Sequence, residues 1–275
     1  MYYSRRIKYQ IIMSERIKKA FEKKNKKLIT FTTGGDPDLN TSFEILKTII
    51  KNKIDILEIG MPFSDPMADG PTIQESSLRS INHGTKIGDI FTIVKKVRNL
   101  DKHIPIILMG YYNSVYNLGI DNFVSECLKA GVDGLIIVDL QPEEDSELQI
   151  KAKEKGIDLI RLITPTTDGN RLNTILQNAS GFLYYVTITG ITGQESANLE
   201  HLQKSINFIK SKTDLPVVAG FGIKNTQDVK SICNFADGVV VGSSIVNIIK
   251  KNIEDKNNII RKINMFTKDL KKGTE

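Results

Sequence analysis

Apolar and polar positions along this chain alternate between short β-type runs and longer amphipathic stretches. The runs predict strands over 28–33, 54–60, 105–110, 134–139, 158–163, 182–187, 216–220 and 238–241. Helix-type periodicity predicts helices over 41–51, 87–100, 120–130, 143–155, 171–179, 199–212, 226–234 and 244–251, with a last one near 258–270. Leu135-Ile136-Ile137-Val138 and Val239-Val240-Val241 are continuous apolar runs, which suit parallel strands covered by helices. Gly131, Gly156 and Asn234 stand where helix C-caps are expected. Strict βα alternation repeated eight times in ~250 residues is the pattern of an α/β protein, a single-domain (β/α)8 TIM barrel. The alternative, a doubly wound open sheet, more often carries a glycine fingerprint after its first strand. Here Gly34-Gly35-Asp36-Pro37 follows, without the required spacing.

The beginning of the chain reads differently. MYYSRRIKYQII is basic but lacks the continuous apolar core of a secretory signal. Residues 1–12 are expected to be a disordered basic extension, and 13–272 the barrel. After Met13, Ser14 is a candidate N-cap, and Ile17 and Phe21 fall four apart on one face, predicting an extra N-terminal helix.

Composition narrows the function. Of 275 residues, 40% are hydrophobic and 25% charged, as in ordinary globular domains. No apolar run reaches the ~18 to 20 residues of a membrane helix, so no membrane partner is expected. The net charge of +6 is uneven: residues 1–27 carry +8, 250–275 carry +4, and 28–249 carry −6. A nucleic-acid reader carries its positive charge on the binding face. Here the loops with site-like residues are acidic, which argues against nucleic acid as a partner. Cys127 and Cys233, in helix-type segments far apart, read as buried thiols of a reducing compartment. His83, His103 and His201 are scattered without ligand spacing, so no metal is expected.

In a barrel the working site lies at the C-terminal strand ends. The segment 57–74, LEIGMPFSDPMADGPTIQ, places Glu58 inside an apolar run and Asp65 and Asp69 in the Pro- and Gly-rich loop behind it. An unpaired buried charge costs several kcal/mol, roughly, so such a carboxylate is either paired or used. The residues alone leave Glu58 open between an acid–base role and a structural pairing, for example with Lys53. They leave Asp65 and Asp69 open between chemistry and ordinary turn duty. Asp139 ends the fourth strand, and Tyr184 and Tyr185 lie in the sixth. Gly190-Ile191-Thr192-Gly193, Gly220-Phe221-Gly222 and Gly242-Ser243-Ser244 follow the last three strands. Glycines there let backbone N–H groups approach an anion, and a helix starting near Ser243 adds its dipole, so these segments favour a phosphate site over plain turns. Thr192 reads either as a lid residue or as a turn residue.

These segments resemble the tryptophan synthase alpha chain family. The likeness runs from about Met13 to near Lys268 and is most specific at 57–74, which is similar to the family signature almost residue for residue. FTTGGDP at 31–37, FLYYVTITGITG at 182–193, GFGI at 220–223 and VGSSIV at 241–246 support it in order. The resemblance implies a (β/α)8 lyase that cleaves indole-3-glycerol phosphate to indole and glyceraldehyde 3-phosphate by a retro-aldol reaction. Glu58 and Asp69 match the family's two catalytic acids. Phe31, Ile73, Met109 and Tyr184 match the indole pocket, and Gly193, Gly222, Gly242 and Ser243 the phosphate cradle. Thr192 matches the lid threonine that meets the aspartate on closure. Pro62 and Asp65 match loop positions near the partner interface. The implied partner is the beta chain, in a tetramer of two alpha and two beta chains. No cofactor is implied for this chain, pyridoxal phosphate belonging to the beta chain. Compartments that suit the family are the cytoplasm and the plastid stroma. Gln141 stands where the family usually has proline, Ile188 lies at a variable lid position, and the first twelve residues have no counterpart. Rival barrel enzymes fit less well: an indole-glycerol-phosphate synthase wants a strand-end catalytic lysine, and a pentose-phosphate epimerase metal-ligand histidines. A catalytically silent activating subunit is disfavoured by the intact pair of acids.

Overall fold

The computed structural model describes residues 14–187 and 195–275. The basic extension and the segment holding Ile188, Thr192 and Gly193 lie outside the described residues. Among those described, the strands are β1 (Lys27–Thr33), β2 (Ile56–Gly60), β3 (Ile106–Gly110), β4 (Gly134–Ile137), β5 (Asp158–Leu159), β6 (Arg161–Ile163), β7 (Leu183–Val186), β8 (Val217–Gly220) and β9 (Gly238–Val241). All pair in parallel, in the order β5-β4-β3-β2-β1-β9-β8-β7-β6. The two edges, β5 and β6, are separated only by Ile160, whose N–H donates to the Leu135 carbonyl at 2.9 Å. They are halves of one stave: the first pairs with β4 and the second with β7. The sheet therefore closes into an eight-staved barrel, the expected (β/α)8 fold, with the predicted strand 158–163 divided between two neighbours.

Period-two alternation sorts each strand into two cores. Ile29, Ile56, Ile107, Ile136, Ile160, Phe182, Val218 and Val240, one from each stave, fill the barrel interior. Leu28, Leu57, Ile59, Leu108, Leu135, Val239 and Val241 point outward and pack against the helices. Full burial of one such side chain contributes about 1.5 to 3 kcal/mol, so both layers hold the closed sheet.

The helices are α1 (Glu15–Glu22), α2 (Leu39–Lys51), α3 (Pro71–Asn82), α4 (Ile87–Leu100), α5 (Tyr112–Leu118), α6 (Ile120–Ala130), α7 (Ser146–Glu154), α8 (Gly169–Gln177), α9 (Glu195–Lys210), α10 (Thr226–Cys233), α11 (Ser243–Lys251) and α12 (Lys256–Lys271). A 3₁₀ turn, Lys272–Thr274, follows α12. The bounds of α4 and α6 are those the periodicity predicts. The periodicity gives no range for α3 or α5, although His83 beside Gly84 reads as a helix end and is the C-cap of α3. The buried positions of α3 are Ser76, Ser77 and Ser80, so it has no apolar stripe to detect. Helix α5 has only seven residues, of which Val115 alone is buried.

Helix α1 closes the bottom of the barrel. Ile17 is fully buried under the interior layer, and the Phe21 ring lies 5.6 Å from that of Phe182. Ser14 does not cap α1 with its side chain. Its hydroxyl donates to Asp133 Oδ1 at 2.8 Å and its N–H to Asp158 Oδ2 at 3.1 Å. A hydroxyl bond to a buried carboxylate is charge-assisted and stronger than the neutral bond of a cap. Asp133 gathers further donors there: Arg16 at 2.9 Å, Arg98 at 2.8 Å and the Ile106 N–H at 2.9 Å. Cys127 and Cys233 are free and buried, and burial pushes both thiols up. Among the described residues, no helix is long and apolar enough to cross a membrane.

Candidate active site

Alternation in β2 decides where Glu58 points. Leu57 and Ile59 belong to the outer core and Ile56 to the inner one, so Glu58 and Gly60 face the barrel interior above Ile56. Register places Phe31 of β1 and Ile107 of β3 beside Glu58. Met109, one pleat above Ile107, and Tyr184 of β7 pack on the same interior layer.

Glu58 is 2% exposed and, among the described residues, has no hydrogen bond or ion pair. Lys53 does not reach it; that residue is exposed in the turn ahead of β2, and the structural pairing left open by the sequence is absent. Loss of water, and then the negative charge of Asp69, raise the Glu58 carboxyl to about 8. At neutral pH it is a neutral acid holding its proton inside the barrel.

Asp69 lies in the loop between β2 and α3 and is half-buried. Burial raises its carboxyl, and a hydrogen bond with the Tyr111 hydroxyl opposes the rise. Asp69 has a donor and Glu58 has none, so Asp69 is the one that ionises first. Two carboxyls whose surroundings separate their proton affinities are an acid–anion pair.

Aromatic rings over glycines shape the walls. A Cβ on Gly60 would lie 2.7 Å from Phe31 Cζ, one on Gly242 3.3 Å from Phe31 Cβ, and one on Gly220 2.8 Å from the Tyr184 hydroxyl. Any side chain at Gly60 or Gly220 would displace its ring. Burial and the adjacent Glu58 push the Tyr184 hydroxyl well above its usual range. Ile73, in the first turn of α3, is half-buried at the rim.

The other side of the mouth is lined by glycines and a helix start. Gly222 adopts φ +55°, a conformation that favours glycine, and lies exposed after β8. Helix α11 begins at exposed Ser243 with Gly242 as its N-cap and no side chain on its first amides. By contrast, Asp38, Asp168, Asn225 and Asp255 cap α2, α8, α10 and α12 with their side chains. The Ser244 hydroxyl donates to the Ile223 carbonyl, tying the two glycine segments together. Thr187 donates its hydroxyl to the Gly220 carbonyl at 2.8 Å, fixing the end of β7.

A buried polar brace holds α3, and with it Asp69 and Ile73. Arg79 grips Asp36 with two bonds of 2.8 Å, and Ser80 donates to the Gly34 carbonyl at 2.7 Å. Ser76 and Thr33 share a hydroxyl–hydroxyl bond. Pro62 is half-buried and Asp65 exposed on the outer part of the β2–α3 loop, next to Met67, which is 85% exposed. Of the residues the sequence singled out, Phe31, Glu58, Met109 and Tyr184 share the barrel interior, with Asp69 close enough to act on Glu58. Gly222, Gly242 and Ser243 stand at neighbouring strand ends. Tyr111 and the Asp36–Arg79 brace were missed. The clue available for Tyr111 was its place directly after β3, at a C-terminal strand end.

A parallel barrel with an unpaired buried acid, a second carboxylate and a glycine-flanked helix start at its C-terminal mouth is an acid–base barrel enzyme. The sequence pattern of the tryptophan synthase alpha chain family matches residues 17–275. The structure superposes with a TM-score of 0.87 on tryptophan synthase subunit alpha from Legionella pneumophila, 35% identical over 94% of this chain and 98% of that one. It is also similar to a chain of the tryptophan synthase complex of Pyrococcus furiosus (TM-score 0.81, 34% identity, 90% and 99% covered). A chain of tryptophan synthase from Mycobacterium tuberculosis gives a TM-score of 0.84 at 26% identity, covering 94% and 98%. The chain belongs to the tryptophan synthase alpha chain family. It is a lyase of tryptophan biosynthesis, acting on indole-3-glycerol phosphate by retro-aldol cleavage.

Proposed function

We propose that Glu58 and Asp69 carry the cleavage. The observation behind this is the unpaired Glu58 carboxyl, buried inside the barrel and raised to about 8 beside Asp69. Glu58 gives its proton to C3 of the indole ring. The positive charge that develops on the ring nitrogen is stabilised by the Asp69 carboxylate, which accepts the N–H. The bond between C3 and the glycerol chain then breaks. Its electron pair returns to the ring as the substrate hydroxyl loses its proton to the Glu58 carboxylate, and the carbonyl of glyceraldehyde 3-phosphate forms. Each proton in this sequence passes through Glu58, so the reaction needs no cofactor in this chain.

Phe31, Ile73, Met109 and Tyr184 form the apolar walls that hold the indole. Gly222, Gly242 and Ser243, with Gly193, cradle the phosphate through backbone N–H groups and the α11 dipole. Thr192, outside the described residues, is assigned to the lid by the family resemblance. The partner is a pyridoxal-phosphate beta chain, in a tetramer of two alpha and two beta chains, and Pro62 and Asp65 lie toward it; similarity to a chain of the Pyrococcus furiosus complex supports this. We assign residues 1–12 as a basic extension, 13–272 as the catalytic barrel, and the cytoplasm or plastid stroma as its compartment. The test is indole release from indole-3-glycerol phosphate by the purified chain, alone and with a beta chain. Slow turnover alone, faster turnover in complex and a loss of about 100-fold or more from Glu58→Gln are expected. Normal turnover by Glu58→Gln would end the assignment.

A further inference from the structure

We infer that Tyr111 is a positioning residue for Asp69: its ring is clamped against Phe63, its oxygen accepts the Ala68 N–H, and its own proton is donated to the Asp69 carboxylate. The inference rests on the assignment of Asp69 given above. Tyr111 is 3% exposed, and its ring stacks on Phe63 at 5.1 Å with an interplanar angle of 25°. Ala68 N–H donates to its hydroxyl at 3.0 Å. A phenol oxygen that accepts one N–H still has a proton to give. Ala68 immediately precedes Asp69, so the bond brings the phenol beside the Asp69 carboxyl, the acid that acts on it.

The geometry has two consequences. The Ala68 bond ties the loop backbone, one residue before Asp69, to the end of β3. Gln74 Nε2 anchors the other side by donating to the Asp69 carbonyl at 2.8 Å. The hydroxyl–carboxylate bond then sets the direction of the Asp69 side chain, and bonds to a charged acceptor are the strong ones. A site residue held by its neighbours on rigid elements works better than one left on a free loop. The charged and titratable groups facing this pair are Glu58 on β2, which Asp69 acts on, and Asp139 after β4, which raises the Tyr111 hydroxyl. Asp139 is itself occupied by the Tyr112 N–H at 2.7 Å.

Tyr111→Phe keeps the stacked ring and removes only the hydroxyl. In the full chain with its beta partner, kcat for indole release should fall roughly 10- to 100-fold with KM little changed. Loss of a donor to the charged form raises the Asp69 carboxyl, so the acid limb of the kcat/KM profile should move to higher pH. Adding Tyr111→Phe to Asp69→Asn should cost nothing further, because the tyrosine acts through the aspartate. Circular dichroism of the variant should match the parent chain. Unchanged kcat and an unmoved acid limb in Tyr111→Phe, with Asp69→Asn strongly impaired, would overturn the inference alone. An active Asp69→Asn would overturn the role of Asp69 and this inference with it.

Discussion

Two acidic side chains of this barrel, each 2% exposed, sit at opposite ends of the staves and live under opposite rules. Asp133, at the bottom, accepts from the Ser14 hydroxyl, the guanidiniums of Arg16 and Arg98 and the Ile106 N–H. Glu58, in the interior near the top, has no hydrogen-bond or ion-pair partner among the described residues and faces a second carboxylate. The bottom carboxylate is surrounded by cations and donors and ties α1, α4 and β3 together. The upper one is left to keep its proton. In a barrel the bottom face carries stability and the top face chemistry; here the contrast is written in the partners of two buried acids.

The widest separation between them comes from removing each acid in turn. Glu58→Gln should lower kcat by about 100- to 10,000-fold, the usual range for a lost acid–base group. The same change should stabilise the fold at neutral pH. Between the unfolded carboxylate value of ~4.3 and the folded value of about 8, the native state holds a proton that the unfolded state has lost. Folding stability therefore falls as pH rises through that window. Glutamine removes the penalty, a gain on the order of a few kcal/mol by urea denaturation at pH 7.5, fading as the pH approaches 4. A Glu58→Gln variant less stable than the parent chain would contradict the absence of native partners for this carboxyl.

Asp133→Ala is the mirror image. It leaves Arg98 buried without its counter-charge and should cost about 3 to 5 kcal/mol in the same denaturation experiment, the range for breaking a buried pair. Folded protein should keep its kcat. Loss of turnover in the folded variant would mean that the bottom of the barrel is coupled to the chemistry.

How far the sequence reveals this division depends on the kind of signal. The staves were legible because buried parallel strands are continuous apolar runs, and Glu58 stood out because a carboxylate interrupts one. The interruption at Ile160 was not legible; it arises where the barrel closes, a property of pairing across the whole sheet. The extent of helix α3 was not legible beyond its end at His83, because it buries serines that bind Gly34 and Thr33 across the mouth. Ser14 looked like a cap because caps are local, and its true partner Asp133 lies 119 residues away. Tyr111 and Asp69 are likewise 42 positions apart in sequence with no motif joining them. Local chemistry was readable, and contacts made only by the closed barrel were not.

A smaller effect sharpens the contrast through pH. On the proposed mechanism, in which Glu58 is the acid, kcat/KM should decline above about 8, the value of its carboxyl in the free enzyme. A profile flat to pH 9.5 would show that the proton comes from elsewhere. The smallest effect should come from a surface pair that belongs to neither end. Lys204 and Glu200 are both well exposed on α9, so replacing both with alanine should leave Tm and kcat unchanged, as exposed pairs contribute little.

The central claim is that Glu58 holds a proton at neutral pH. Carbon-13 NMR of the chain labelled at glutamate carboxyls, with Glu58→Gln to assign the resonance, reads that proton directly. A titration midpoint near 8 is the result expected; a midpoint at the ordinary glutamate value of ~4.3 would contradict the account.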